Sequence, residues 1–318
     1  MGTRTGNAIE ARGLTRRFGD FVAVSGIDLA VRHGEVFGLL GANGAGKTTA
    51  IRMLCGTLPP TSGEVEVAAI DMGRNARAAR GRIGYVAQRF ALYGDLTVRE
   101  NLALQAGLYG LSRGRARERI DWALARLDLV GSMTARASMI PLGHQRRLAI
   151  AAALLHEPDV LFLDEPTSGI DPLTRAEFWE LVYELAESGA GVLITTHYMD
   201  EALFCDRLAL MHAGSIVVES APRALLERGS DTPILEVEAS RSADCLPLLA
   251  GNADVLEVIP HAGRLRVRLR RGLDPGEAAL RLLAGAARLG VAVDRVAPVA
   301  AELEDVIVAL LEARGTAR

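Results

Sequence analysis

Three short apolar runs stand out from the polar background of the first two thirds of the chain: Glu35-Val-Phe-Gly-Leu-Leu40, Asp159-Val-Leu-Phe-Leu163 and Gly191-Val-Leu-Ile-Thr-Thr196. Runs of this length without polar alternation predict strands buried on both faces, the pattern of a parallel sheet covered by helices. Ala8 to Val31 reads as two strands around a turn at Gly19-Asp20, and Gly63 to Val67 and Gly84 to Ala87 read as further strands. Thr48 to Cys55 carries helical apolar spacing, ended by Gly56 and the Pro59-Pro60 pair. From about Leu96 to Leu155 the pattern is helical throughout, with Arg113, Arg115, Arg117 and Arg119 expected on a solvated stretch.

Past Val218 the texture changes. Arg228-Gly-Ser-Asp-Thr-Pro233 is a polar break, which divides the chain into a domain over 1–228, a linker over 229–233 and a second domain over 234–318. In the second domain the patterns predict strands at 234–239, 255–259, 265–271 and 291–296, and helices near 243–249, 275–289 and 303–313. That order fits a small split β-α-β sandwich. In Arg264-Leu-Arg-Val-Arg-Leu-Arg270 arginine and apolar residues alternate, so one face is expected to pack and the arginine face to be wet.

The first apolar run ends directly on chemistry. Gly41-Ala-Asn-Gly-Ala-Gly46-Lys47-Thr48 matches G-x-x-x-x-G-K-[ST], a loop whose backbone N–H groups cradle a triphosphate. Strand, glycine loop and helix follow in the order that places a helix N-terminus at the phosphates. Lys47 is the single lysine in a chain whose Lys+Arg count is 36. A compact ammonium on a flexible stem reaches between β- and γ-phosphates where a planar guanidinium does not fit. The chain therefore binds a nucleoside triphosphate, with Thr48 offering its hydroxyl to Mg²⁺.

Bulk properties narrow the setting. At 318 residues, 49% hydrophobic and 24% charged, the chain has the composition of a well-packed α/β protein. Its net charge of −3 argues against a nucleic-acid partner. Cys55, Cys205 and Cys245 are odd in number and scattered, so neither a disulfide framework nor a metal motif is expected and a reducing cytosol is. The longest apolar stretch, Leu148 to Leu155, is about a third of a bilayer span. Met1 to Gly6 lacks the apolar core of a signal peptide, and the lipidation pattern fails at Gly6.

The second apolar run ends in two acids, Asp164-Glu165, and continues Pro166-Thr-Ser168-Gly-Ile-Asp171-Pro172. A strand can carry Asp164 to the phosphate loop to hold Mg²⁺, and Glu165 can then serve as general base for water in line with the γ-phosphate. With these residues the chain resembles the ATP-binding subunit of an ABC (ATP-binding cassette) transporter from about residue 7 to 225. The resemblance implies a P-loop NTPase of the ABC ATPase type: α/β, with a parallel core sheet, an antiparallel β subdomain and a helical subdomain at about 90–150, followed here by a small α+β C-terminal domain. It implies that Gly41, Ala42, Asn43, Gly44, Ala45, Gly46, Lys47, Thr48 and Thr49 bind ATP and that Phe18 lies against adenine. Gln88, after Gly84-Tyr-Val-Ala, would contact Mg²⁺ and the attacking water, making Thr48, Gln88 and Asp164 the Mg²⁺ set. Ser168 to Asp171 would cross a dimer interface, and His197 would sense the γ-phosphate beside Glu165 and Lys47.

One motif departs from the family. The usual Leu-Ser-Gly-Gly-Gln falls, counted back from Arg147-Leu148-Ala149, on Ile140-Pro-Leu-Gly-His144, where only Gly143 is retained. A one-residue gap would instead align Gly143 and Gln145, but a helix start tolerates Pro better than a lost residue. Pro141 and Leu142 cannot replace the serine hydroxyl that normally reaches the γ-phosphate of the opposite subunit, although Gly143 N–H remains. Two readings follow: a natural variant, as in some bacterial exporter ATPases with a similar Leu-Pro-Leu-Gly stretch, or an impaired signature completed by a partner's intact one. The complete set Lys47, Asp164, Glu165 and His197 favours an active enzyme.

Leu92 to Leu102, the Thr167 to Asp171 loop and the tail Leu303-Glu-Asp-Val-Ile-Val-Ala-Leu310 resemble ATPases of the ABC-2, multidrug-export class. The implied partners are a second copy of this chain, in an ATP-dependent dimer, and integral membrane permease subunits of ABC-2 type encoded separately. The implied location is cytoplasmic, peripheral on the inner face of the membrane. The rival is a soluble ABC ATPase acting on ribosomes or DNA, against which stand the single cassette, the absence of a heptad run and the absence of a basic tail. The C-terminal domain could equally dimerise, dock or sense a ligand.

Overall fold

The computed structural model describes residues 6–88, 90–167, 171–229, 232–239, 241–261 and 263–315. Two compact units divide at Ser220/Ala221, ahead of the polar break.

The first unit opens with a hairpin, β1 (Asn7–Phe18) and β2 (Phe21–Arg32), followed by β3 (Val36–Leu40) and α1 (Lys47–Leu54). Next come β4 (Ser62–Val67), the two-residue β5 (Ile70–Asp71), α2 (Met72–Arg80, interrupted at Asn75) and β6 (Ile83–Val86). Helices α3 (Val98–Leu108), α4 (Arg113–Arg126) and α5 (Leu142–Leu154) precede β7 (Val160–Asp164), α6 (Pro172–Glu187), β8 (Gly191–Thr196), α7 (Met199–Ala202), β9 (Arg207–His212) and β10 (Ser215–Ser220).

An antiparallel sheet ordered β2-β1-β4-β5 stands beside a six-stranded sheet ordered β10-β9-β3-β8-β7-β6. In the larger sheet β9, β3, β8, β7 and β6 run parallel, and only β10 is antiparallel. Every residue of β3, β7 and β8 is buried, as their unbroken apolar runs demanded. One core lies between this sheet and the β hairpin with α1; the other lies on its opposite face under α3, α4, α5 and α6. The sheets and the helical part over 98–154 are those of the ABC ATPase type expected. Thr97 caps α3 through a reciprocal capping box with Glu100.

The arginine run on α4 is only partly a solvated face. Arg119 lies over the Trp122 ring at 4.0 Å and donates to the carbonyls of Leu154 and Leu155, tying α4 to the end of α5. Arginine can bury its stem and still satisfy its planar donors on backbone, which residue type alone did not reveal.

The second unit contains α8 (Pro222–Gly229), β11 (Ile234–Glu238), α9 (Ser242–Ala250), β12 (Val255–His261), β13 (Arg264–Leu269), α10 (Pro275–Arg288), β14 (Arg295–Val299) and α11 (Leu303–Gly315). From β11 to β14 this is a β-α-β-β-α-β order in one antiparallel sheet, β12-β13-β11-β14. The last strand begins later than its apolar pattern suggested. Gly290, at a φ of 68°, ends the turn after α10, and pairing with β11 starts only at Arg295 opposite Glu238.

The wet arginine face on β13 is a correction. Arg264 is exposed, but Arg266 and Arg268 are 5% and 8% exposed. Arg266 donates to Asp305 at 2.7 Å, to Glu302 at 2.7 Å and to the Ala300 carbonyl at 3.0 Å. Arg268 pairs with Glu257 and Glu312. The residues at and within α11 cover that face, and period-two alternation cannot distinguish a solvated face from one covered by carboxylates.

Candidate nucleotide site

Parallel pairing decides where the chemistry gathers. Leu40 pairs with Thr196 and Asp164 with Thr195, so the C-terminal ends of β3, β7 and β8 lie on one edge of the sheet. The phosphate loop leaves β3 there, the two acids leave β7, and His197 leaves β8. In open parallel sheets this edge is where ligands bind.

Gly41 leaves β3 so close to β9 that a Cβ would lie 2.4 Å from the Met211 carbonyl oxygen. Gly46 holds a φ of 107° with the Ala23 carbonyl 2.5 Å from where its Cβ would stand. Between them Ala42, Asn43 and Gly44 are exposed, while Ala45 is buried and anchors the loop. Lys47 opens α1 and is only 4% exposed. Its Nζ donates to the carbonyls of Gly41 at 2.7 Å and Ala42 at 3.2 Å and lies 3.6 Å from Glu165 Oε1. Burial pushes the ammonium below the ordinary lysine range, and the Glu165 charge opposes the shift. Thr48 and Thr49 follow on the first turn, both partly buried.

Asp164 closes β7 and is 1% exposed. Its Oδ1 accepts from Thr195 at 2.7 Å and from Thr48 at 3.3 Å, while Oδ2 is buried without a hydrogen-bond partner. Burial raises its pKa, and the hydroxyls of Thr195 and Thr48 pull the other way. A carboxylate with a free buried oxygen beside a hydroxyl has the oxygen chemistry of a hard divalent cation. Among the described residues no cluster of three or more His, Cys, Asp or Glu is assembled.

Glu165 is the centre of the arrangement. Its backbone has a φ of 48°, a left-handed conformation uncommon outside glycine, and its N–H is held by the carbonyl and hydroxyl of Thr195 at 3.1 and 3.0 Å. Gln88 donates to Oε2 at 2.9 Å. His197 Nδ1 comes within 3.3 Å of the same oxygen, off the line of a hydrogen bond. Five of the residues expected from the sequence thus come together: Lys47, Gln88 and His197 around Glu165, with Asp164 one residue before it.

Phe18 is 47% exposed at the end of β1, with the Arg16 guanidinium 4.6 Å from its ring centroid. Gly143 lies on the first turn of α5, whose N-cap is Pro141 and which has no side-chain cap. The ungapped alignment therefore coincides with a helix start at Leu142. Ser168, Gly169 and Ile170 of the expected interface loop lie outside the described residues. Asp171 is described, and accepts from Thr174 N–H at 3.0 Å through its side chain.

Two residues carry more than their sequence suggested. Thr195 holds both acids, through Asp164 Oδ1 and Glu165 N–H; the available signal was a hydroxyl ending an otherwise apolar strand. Arg146, nearly buried in α5 and lowered in pKa by that burial, donates to the Ala87 carbonyl at 3.2 Å, one residue before Gln88. Nothing in the spacing separates it from the exposed arginines.

Residues 24–168 match the ABC transporter family. The chain is 49% identical over 222 residues to the probable multidrug ABC transporter ATP-binding protein YbhF of Escherichia coli K12, covering 70% of this chain and 38% of that one. It is 44% identical over 226 residues to the daunorubicin resistance ATP-binding protein DrrA3 of Streptomyces coeruleorubidus, covering 70% and 72%. Over 285 residues it is 36% identical to the Nod factor export ATP-binding protein I of Rhizobium sp. N33, covering 87% and 92%. The fold is similar to an ATP-binding cassette solved as a dimer in a post-hydrolysis state with ADP and phosphate: TM-score 0.62, 26% identity, 67% of this chain and 98% of that one. The chain spans about two fifths of the length of YbhF but 72% and 92% of the other two relatives; at these identities this chain belongs to the ATP-binding proteins of ABC transporters.

Proposed function

We propose that the protein hydrolyses ATP and, as one of a pair, drives export through a separately encoded permease of ABC-2 type at the inner face of the membrane. The observation that carries the catalytic part is the convergence on Glu165: Lys47 at 3.6 Å, Gln88 at 2.9 Å and His197 at 3.3 Å. In this reading the phosphate loop grips the triphosphate and Lys47 turns from its own loop carbonyls to the β- and γ-phosphates. Gln88 orients a water against Glu165. The water oxygen bonds to the γ-phosphorus, Glu165 takes its proton, and the β,γ-bridging oxygen leaves with ADP. His197 steadies a γ-phosphate oxygen. Thr48, Asp164 and Gln88 would hold Mg²⁺, which when bound offsets the charge of the phosphates.

Phe18 supplies a ring face for adenine. The start of α5, with Gly143 N–H, closes on the nucleotide of the second copy, Pro141 and Leu142 leaving backbone donors and the helix terminus in place of a hydroxyl. The relatives' names, a multidrug transporter protein, a daunorubicin resistance protein and a Nod factor exporter, support export as the direction. In this reading a permease subunit supplies the passage and the cargo chamber; among the described residues no helix is long and apolar enough to cross a membrane.

The experiment is phosphate release from MgATP. The purified protein turns over, while Glu165→Gln keeps ATP affinity and loses about 10²–10⁴-fold in rate, the scale of general-base help. Wild-type turnover by the variant removes Glu165 from the role.

A further inference from the structure

Four residues past His197, on the short helix α7, Glu201 is 1% exposed. A carboxylate so placed is costly unless hydrogen-bonded, and each of its oxygens accepts one hydroxyl hydrogen bond. Thr196 Oγ1 donates to Oε2 at 2.7 Å, Thr167 Oγ1 donates to Oε1, and the Arg175 Nε stands 3.8 Å from Oε1. Thr167 and Thr196 are themselves nearly inaccessible.

The positions of those partners matter more than their number. Thr167 is two residues after Glu165, at the exit of the loop that leaves β7. Thr196 is the residue before His197, and its hydroxyl also accepts from the Tyr198 N–H at 2.9 Å. Arg175 lies over the Tyr198 ring at 5.5 Å, and that ring packs against the His197 ring at 4.1 Å. One oxygen of Glu201 therefore fixes the backbone that follows the base, and the other fixes the backbone that presents the histidine. The arginine adds a second route to His197 through the Tyr198 ring. A carboxylate needed only for packing would not have to bridge two loops that both end at the same reacting centre.

We propose that Glu201 is a positioning residue, a clamp that sets the separation and orientation of Glu165 and His197 through Thr167 and Thr196. The clamp rests on the ATPase reading and deepens it. Glu201 touches neither substrate nor water; it acts by holding the loops whose side chains do, and displacement of reacting groups by about 1 Å is enough to cost about 10²-fold in rate. Neither residue type nor spacing flags it, since an acid on a helix five residues past a strand reads as a solvated position.

Three variants of the full chain test the clamp. Glu201→Ala removes both arms, Thr196→Val removes one without changing side-chain volume, and Glu201→Gln keeps an acceptor for one threonine and a donor for the other. Each is read for ATP binding and stoichiometry by titration, and for the single-turnover rate per bound site. Glu201→Ala is expected to bind ATP with wild-type affinity and lose about 10- to 100-fold in that rate; Thr196→Val loses less, and Glu201→Gln recovers most of the loss. The double variant Glu201→Ala/Thr196→Val is no slower than Glu201→Ala alone, because the two act as a unit. A merely structural glutamate would lower the bound stoichiometry and leave the rate per site unchanged, which overturns the proposal. The imidazole resonance of His197 gives a readout independent of turnover, shifting in Thr196→Val and Glu201→Ala but not in Glu201→Gln. An unshifted resonance overturns the clamp even in a chain that hydrolyses nothing, whereas absent wild-type turnover with the shift present counts against the ATPase reading alone.

Discussion

Lys47 and Glu165 form a buried pair of unlike charges whose tolerance for change is small. The ammonium makes two carbonyl hydrogen bonds within its own loop and faces the glutamate at 3.6 Å, with only 4% of the residue exposed. Removing it leaves Glu165 uncompensated and takes away the charge that, in the proposed function, meets the phosphates. Lys47→Ala should therefore weaken ATP binding by about 10²-fold or more, the worth of a strong charge-assisted contact. Lys47→Arg should not restore it, because a planar fork cannot replace a point charge in that space. Isothermal titration checks both, and wild-type affinity in either variant contradicts the placement. Glu165 stores strain as well: a left-handed non-glycine residue costs about 1–3 kcal/mol and persists only where surrounding bonds over-determine it. Here Thr195 supplies those bonds from the neighbouring strand.

His156 belongs to the same scale but acts on stability. Its Nε2 lies 3.0 Å from the Ile83 carbonyl, and its ring stacks on Tyr109 at 3.6 Å. Nδ1 is buried without a partner, so protonation would place a charge where nothing receives it. Burial, helped by Arg119, pushes the pKa down from 6.5 to about 4. The unfolded chain then binds more protons than the folded one between those values, so stability is complete above pH 6.5 and falls as pH drops toward 4. The loss between pH 7 and 5 is at most about 2 kcal/mol. Urea unfolding at the two pH values measures it, and His156→Leu should flatten that part of the profile.

At the scale of elements, α11 and β13 show what covers an arginine face. Arg266 and Asp305 are both nearly buried, at 5% and 6% exposure, and Glu302 and the Ala300 carbonyl complete the guanidinium's partners. A buried pair is weak support for stability as a pair, but breaking one half strands a charge at about 3–5 kcal/mol. Arg266→Met should lower the melting temperature of the second unit by on the order of 10 °C, and adding Asp305→Asn should recover part of it. Scanning calorimetry of the full chain reads the shift, and an unmoved transition would mean the pair is not what seats α11. The start of α5 is the other informative element. With Pro141 as N-cap and no side-chain cap, its first N–H groups keep their anion-binding capacity although the motif has lost its serine.

For the whole molecule the open quantity is how many chains make one working site. If the α5 start of one copy closes on the nucleotide of another, Glu165→Gln should move from monomer to dimer when MgATP is added, as light scattering would record. A dimer would mean the altered signature suffices with a second copy of this chain. A persistent monomer would mean that another subunit completes the site.

The amino-acid order alone determined the phosphate loop, the acid pair and the three buried strands, because each is a local pattern: glycines where backbone must crowd, and apolar runs where both faces are covered. The same local reading found most elements of the second unit. β5 and α2 escaped it because they are short and carry no clear apolar period, and the delayed start of β14 escaped it because pairing with β11, far off in the chain, decides it. Only the tertiary structure decided what faces each polar side chain. It brought Gln88 and His197 to one oxygen of Glu165, buried Arg266 and Arg268 under acids from β12 and from the end of the chain, and gave Glu201 two threonines from separate loops. Most of these hydrogen bonds and ion pairs join residues tens of positions apart, and no period in the chain encodes their meeting; the packing of the elements does.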